Sequence, residues 1–258
     1  MGKAISLHLA RQGNIVFAVY HSNKEAARET EKELKALSPQ SGAVGGDLTR
    51  PGEPKRLVED IARRTGRVDI LVNNAGIFDF SFIEDTTEEY LDRVLTTNFK
   101  SQFFMVQAVL PYMKKNRYGR IANASSISGR FADVGLVAYA ASKAGVNMLT
   151  TIASAELAPW GITVNAYAPG IIHTDMTDAM IQERGDIQVQ QISCRRFGAG
   201  EDVSALVGFL VSPEAGYITG EIIGVDGGFF KVQNAYRAYE YAQGKEKDAA
   251  AVKVAPKP

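Results

Sequence analysis

The feature that most constrains this chain is a regular alternation of short, continuously apolar runs with longer amphipathic stretches. Apolar runs at residues 15–20, 41–46, 68–73, 120–124, 162–167 and 221–225 read as strands. They have no polar face, which suits a parallel sheet covered on both sides. Between them, residues 24–37, 52–64, 87–115, 138–158 and 202–211 read as helices. Thr86-x-x-Glu89 reads as a capping box opening the third of these. Strand and helix in alternation, with short connections, predict an α/β fold: a three-layer, doubly wound parallel sheet.

A chain of 258 residues suits one such domain. Residues 1–230 are expected to form it, and the charged, Ala-rich residues 231–258 a largely disordered tail. Residues 170–200 are a long polar excursion between strands, a candidate lid.

Charge and cysteine content narrow the partners. The 29 Lys+Arg balance the 29 Asp+Glu, so nothing marks a nucleic-acid or anionic-membrane surface, both of which need uncompensated cations. No apolar run approaches the ~20 residues of a membrane span. The single Cys194 excludes an internal disulfide, and a reducing, cytoplasmic setting is expected. No targeting segment is read before the first helical pattern. Met1-Gly2-Lys3-Ala4-Ile5-Ser6 fits an N-acylation pattern, but Ala4, Ile5, Leu9 and Ala10 form one apolar helical face stopped at Gly13, and the helix is the preferred reading.

Tyr139 and Lys143 stand four residues apart, neighbours on one helical face. An ammonium beside a phenol stabilises the phenolate and brings its pKa toward the working range of a general acid or base. Alone, such a pair is also common on solvated helices. Ser126 lies thirteen residues upstream, just past the strand at 120–124, where open α/β sheets hold ligands; its plain alternative is a turn serine. Asn73-Asn-Ala-Gly76 follows another strand directly, as a ligand-approaching turn or an ordinary one. Asn98 interrupts the long helical pattern, where its side chain competes with the backbone.

Together these residues resemble the short-chain dehydrogenases/reductases, Rossmann-fold enzymes that use NAD(H) or NADP(H). The likeness runs from Gly2 to about Phe229 and includes Asp47 in Gly-Asp-Leu-Thr, Asn73-Asn-Ala-Gly76, Asn98, Ser126, Tyr139-x-x-x-Lys143, Pro169-Gly-Ile-Ile-His-Thr174, Thr219-Gly-Glu and Asp226-Gly-Gly228. The resemblance implies reversible carbonyl reduction with Tyr139 as general acid/base. It implies that Lys143 tunes Tyr139 and binds the nicotinamide ribose, that Ser126 holds the substrate oxygen, and that Asn98 anchors a water. Asn74, Ala75 and Gly76 would line the adenosine-ribose side, Asp47 and Leu48 the adenine, and Pro169, Gly170, Ile172 and Thr174 the nicotinamide end. The strand at 15–20 ends without an acid, in Tyr20-His21-Ser22. A carboxylate there favours NAD(H) by binding the ribose 2′-hydroxyl, so NADP(H) is the expected cofactor. A homo-oligomer, tetramer or dimer, acting on a small carbonyl or alcohol is also implied.

The family pattern opens with a strand and a Thr-Gly-x-x-x-Gly-x-Gly turn, of which this sequence carries the last glycine, Gly2. That strand is central in the family's order, so two inner strand edges are expected to stand unpaired. A working reductase, a noncatalytic binding or scaffold relative, and an inactive truncated gene product all fit this departure. No metal is expected, since His8, His21 and His173 are scattered without ligand spacing. Asn123-Ala-Ser125 falls at the end of an expected buried strand and is discounted as a glycosylation sequon. The basic run Lys114, Lys115, Arg117 and Arg120 reads as a solvated helix end.

Overall fold

The structure, a computed structural model, describes residues 1–229, 231–232 and 234–243. The chain runs α1 (Gly2–Arg11), β1 (Phe17–Tyr20), α2 (Lys24–Leu37), β2 (Gly42–Gly45), α3 (Glu53–Thr65) and β3 (Ile70–Asn73). It continues through α4 (Glu88–Leu95), α5 (Ser101–Asn116), β4 (Gly119–Ala124), α6 (Val137–Leu157), β5 (Ile162–Pro169), α7 (Asp178–Gln191), α8 (Gly200–Leu210) and β6 (Ile222–Val225). Every strand pairing is parallel.

Alternation along the central strands builds the three layers, because successive side chains leave a strand on opposite faces. Ile121, Ile162 and Val164 pack with Val58 of α3, Val109 and Met113 of α5 and Leu157 of α6. On the other face Ala122, Ala124 and Tyr167 meet Ile5 and Leu9 of α1 and Val203 and Val207 of α8. Every residue of β4 and β5 is buried, as continuous apolar runs covered on both sides require. Each fully buried Ile or Val contributes roughly 1.5–3 kcal/mol relative to exposure.

The strands fall into two sheets. β1 pairs with β2 alone, while β3, β4, β5 and β6 form the other sheet in that order. Between β1 and β3 lies a cavity of about 720 Å³ lined by Ile5, Leu9, Val16, Ala18, Ile70 and Val72. β1 and β3 therefore each present one unpaired edge to an apolar slot, as the strand order implied by the family pattern requires. β1 is correspondingly only half-buried along its length.

Local sequence explains most element ends. Asn23 caps α2 by accepting from the Ala26 N–H at 3.0 Å, and Gly52 and Gly66 bracket α3 with positive φ. The expected capping threonine is corrected by one residue: Thr87 accepts from the Tyr90 N–H at 3.1 Å, while Thr86 donates its hydroxyl to the Phe82 carbonyl. At the start of α8, Asp202 accepts from the Ala199 N–H at 2.7 Å and grips Arg196 with both oxygens. The Arg196 hydrogen bonds, followed by that from the Ala199 N–H, hold the Asp202 carboxyl down at about 2. The expected 87–115 helix is interrupted by five π-helical residues, Thr96–Lys100, with Asn98 at their centre.

The excursion at 170–200 carries a full helix, α7. Of the expected tail, residues 236–243 are helical, and the Tyr239 hydroxyl donates to the Ser193 carbonyl at 2.6 Å. The expectation of disorder for 244–258 lies outside the described residues.

Candidate active site

The carboxyl ends of β3, β4 and β5 open into a second cavity, of about 570 Å³. Each strand delivers polar groups there at its last residue or just beyond: Asn74 and Gly76 after β3, Ser126 after β4, Pro169 and Gly170 at the end of β5. α6 crosses behind them and brings Tyr139 and Lys143 to the same cavity from one face. The residues singled out in the sequence over a span of about 100 positions are thus drawn to one place by the parallel topology.

Tyr139 is partly exposed to the cavity. Burial pushes its phenol above the ordinary value, and a hydrogen bond with Ser126 opposes the shift. Ser126 also accepts from the Ser128 N–H at 3.2 Å, which fixes its hydroxyl at the strand end. Lys143 is buried, donates to the Ala124 carbonyl at 2.8 Å, and has its Nζ 5.6 Å from the Tyr139 ring centre. Burial lowers Lys143 to about 8, so the ammonium and the free amine are both accessible near neutrality.

Asn98 is fully buried. Its Oδ1 accepts from the Ile77 N–H at 2.8 Å, and its Nδ2 donates to the Ile77 carbonyl at 2.9 Å and the Ser142 hydroxyl at 3.1 Å. The amide side chain therefore pins the turn after β3. Gly76 is needed beside it: a Cβ there would sit 3.2 Å from Asn98 Oδ1 and 3.6 Å from Lys143 Nζ.

The residues expected at a dinucleotide line one or other of the two cavities, except His21, Ser22 and Asp47. Asn74 lines both cavities, and its Oδ1 accepts from the buried Tyr167 hydroxyl at 3.1 Å. Ile172 and Thr174 line the cavity holding Tyr139, while Tyr20, Leu48 and Ala75 line the slot between the sheets. Gly2, at the N-terminus of α1, lies against Asn74, with room for a Cβ only at 3.0 Å from its Nδ2. A helix N-terminus between the two cavities suits a pyrophosphate. At the far end His21 and Ser22 are exposed. Asp47 is committed to its own turn, accepting from the Thr49 hydroxyl at 2.6 Å and the Thr49 N–H at 3.0 Å, with His21 at 3.6 Å and Arg50 at 3.3 Å. These Thr49 hydrogen bonds, more than the neighbouring His21 and Arg50, hold its carboxyl low. The chain thus presents a polar, glycine-cradled edge that fits a nicotinamide dinucleotide.

The family model described as Enoyl-(Acyl carrier protein) reductase matches residues 1–230. The chain belongs to the short-chain dehydrogenase/reductase family. It is 40% identical over 230 residues to a 3-oxoacyl-(acyl-carrier-protein) reductase of Staphylococcus epidermidis, covering 89% of this chain and 94% of that protein. Proteins of the same description from Thermotoga maritima and Vibrio cholerae are 40% and 37% identical, covering 88% and 90% of this chain and 92% and 93% of theirs. A crystal structure assigned as a short-chain alcohol dehydrogenase from Sinorhizobium meliloti superposes with a TM-score of 0.86 at 30% identity, covering 90% of this chain and 92% of that one.

Behind the family residues stands a buried amide relay that sequence reading passed over. Asn73 Nδ2 donates to Asn123 Oδ1 at 2.9 Å, and Asn123 Nδ2 to the Thr150 hydroxyl at 3.0 Å. Gln102 Nε2 donates to the Ala124 carbonyl at 3.2 Å, sharing that acceptor with Lys143. The signal was available: Asn73 and Asn123 are amides inside runs that burial on both faces should keep apolar. Phe78 was also missed. Its ring meets Tyr139 edge-to-face at 5.1 Å between centres. Among the described residues no cluster of three or more His, Cys, Asp or Glu could hold a metal, and no helix is long and apolar enough to cross a membrane.

Proposed function

We propose that this chain is an NADP(H)-preferring oxidoreductase that reduces a ketone or aldehyde, or oxidises the matching alcohol. The observation that carries the reading is the meeting of Ser126, Tyr139 and Lys143 in one cavity at the ends of three parallel strands. Asn74, Ala75, Gly76, Pro169, Gly170, Ile172 and Thr174 would hold the cofactor near the reaction, and Tyr20, His21, Ser22, Asp47 and Leu48 its adenosine end. A bound nicotinamide dinucleotide supplies the hydride or, in reverse, accepts it.

The protein's own part is position and one proton. Ser126 donates its hydroxyl hydrogen to the carbonyl oxygen and so orients it. Tyr139 is a neutral phenol at pH 7, and it gives its proton to that oxygen as the carbonyl carbon becomes an alcohol carbon. The phenolate left behind is stabilised by the Lys143 ammonium, whose Nζ stands 5.6 Å from the ring centre, and regains its proton from solvent at the cavity. Asn98 acts through the Ile77 turn rather than on the reacting atoms. NADP(H) is favoured because β1 ends in Tyr20, His21 and Ser22 without a carboxylate, and because Asp47 is already satisfied by Thr49, His21 and Arg50.

The same reading places the protein in the cytoplasm as a homodimer or homotetramer. What supports association is the exposed apolar surface of Phe103 and Phe104 on α5 and of Met148 and Ile152 on α6. Fluorescence titration with NADPH and NADH, followed by turnover with simple ketones, tests the function. Saturable NADPH binding with turnover supports it. Binding without turnover favours a noncatalytic relative, and no binding by the folded chain overturns it.

A further inference from the structure

Part of the lining of the cavity that holds Tyr139 is made of large apolar groups left partly in water. Phe80 is 49% exposed, Met176 48% and Ile187 67%, and all three line the cavity together with Phe78, Phe131 and Met180. Exposed rings and thioethers converging on one concave site mark a surface built to be covered by an apolar ligand.

Phe78 stands nearest the chemistry. Asn98 holds both polar backbone groups of Ile77, at 2.8 and 2.9 Å, so the residue that follows starts from a fixed backbone. Its ring meets the Tyr139 ring at 85° and 5.1 Å and the Phe80 ring at 75° and 5.2 Å, both edge-to-face contacts of the favourable kind. Phe80 is held in turn, because the Ser81 N–H donates to the Gly135 carbonyl at 2.8 Å, and a Cβ at Gly135 would touch the Phe80 ring at 3.4 Å. The result is an ordered aromatic wall starting at the proton donor and running outward.

We propose that Phe78, backed by Phe80, is the specificity-determining residue of this site: it selects carbonyl compounds with a bulky alkyl or aryl substituent over small polar ones. The proposal rests on the reductase reading above. The Phe78 and Phe80 rings offer no hydrogen bond to a hydroxyl or amide placed against them, and a polar group buried unpaired is penalised, while the polar lining of the cavity comes from other residues, Asp133, Arg184 and Gln188 among them. An apolar substituent gains about fourfold in affinity per methylene buried, and a phenyl ring can join the edge-to-face stack.

The test compares acetophenone with hydroxyacetone as substrates for the full chain and for Phe78→Ala and Phe78→Leu, with NADPH. Wild type is expected to favour acetophenone at least tenfold in kcat/KM. Phe78→Ala should lose tenfold or more with acetophenone, chiefly in KM, and change less than twofold with hydroxyacetone; Phe78→Leu should restore most of the loss. Equal losses on both ketones, or no preference in wild type, overturn the proposal. A second arm needs no turnover: calorimetry with the unreactive benzamide and acetamide. Tighter benzamide binding that is lost in Phe78→Ala, without reduction of any ketone, upholds the wall and fails the reductase reading. Reduction of both ketones with no discrimination does the reverse.

Discussion

Lys143 Nζ and the Ala124 carbonyl are 2.8 Å apart, inside a buried layer where the same carbonyl also accepts from Gln102. Removing the lysine therefore leaves that carbonyl with a hydrogen-bond donor. Burial lowers it to about 8, against 10.5 for the free side chain. Between pH 8 and 10.5 the unfolded chain holds a proton that the folded chain has shed, so stability rises with pH across that window. Below pH 8 the full burden of the buried charge, about 3 kcal/mol by the usual conversion, is present. Lys143→Met should thus be the more stable protein at pH 7, with the advantage fading between pH 8 and 10.5. Denaturant midpoints at pH 7 and pH 10.5 check this, and activity should be lost at both.

Tyr139→Phe removes the hydroxyl that carries the proton and keeps the ring that packs on Phe78. Turnover is expected to fall at least a thousandfold while NADPH affinity stays within about threefold, an effect of the size general acids supply. Full activity in this variant would remove Tyr139 from the mechanism.

Asn98→Ala strips partners from the Ile77 N–H, the Ile77 carbonyl and the Ser142 hydroxyl. Leaving buried polar groups unpaired should cost about 2–4 kcal/mol. It should also free the turn carrying Phe78. Urea unfolding reads the first effect; a fall in kcat larger than any fall in cofactor affinity reads the second.

Tyr20→Asp places a carboxylate at the end of β1, where it can accept from a ribose 2′-hydroxyl and repel a 2′-phosphate. The ratio of NADPH to NADH affinity is expected to drop at least tenfold. An unchanged ratio would mean that cofactor choice is made elsewhere.

How much of this was legible beforehand follows from where each signal resides. All six strands were visible because β4 and β5 are buried on both faces and β1, β2, β3 and β6 keep enough of the same apolar character. Tyr139, Lys143, Ser126 and Asn98 stood out through the ordered set of motifs that resembles the family, since each alone had an ordinary structural reading. The actual bonds of Asn98 did not, because Ile77 and Ser142 reach it only through the tertiary fold. Phe78 escaped for a similar reason: a phenylalanine after a glycine turn reads as core, and only the tertiary fold, which brings the turn after β3 to α6, sets its ring against Tyr139. The one-residue error at the Thr87 cap reflects two adjacent threonines with equal claims.

The slot between β1 and β3 divides the molecule mechanically. Among the described residues no strand pairing joins β1 to β3, so α1, packed on α8, and α3, packed on α5, must carry that junction by side-chain packing. Packing without a hydrogen-bonded ladder resists shear poorly, and local opening follows the weakest seam. Amide exchange at residues 17–20 and 42–45 should accordingly run on a faster clock than at 162–169. The adenosine end of the site then rides on a plate that breathes independently of the one carrying Tyr139.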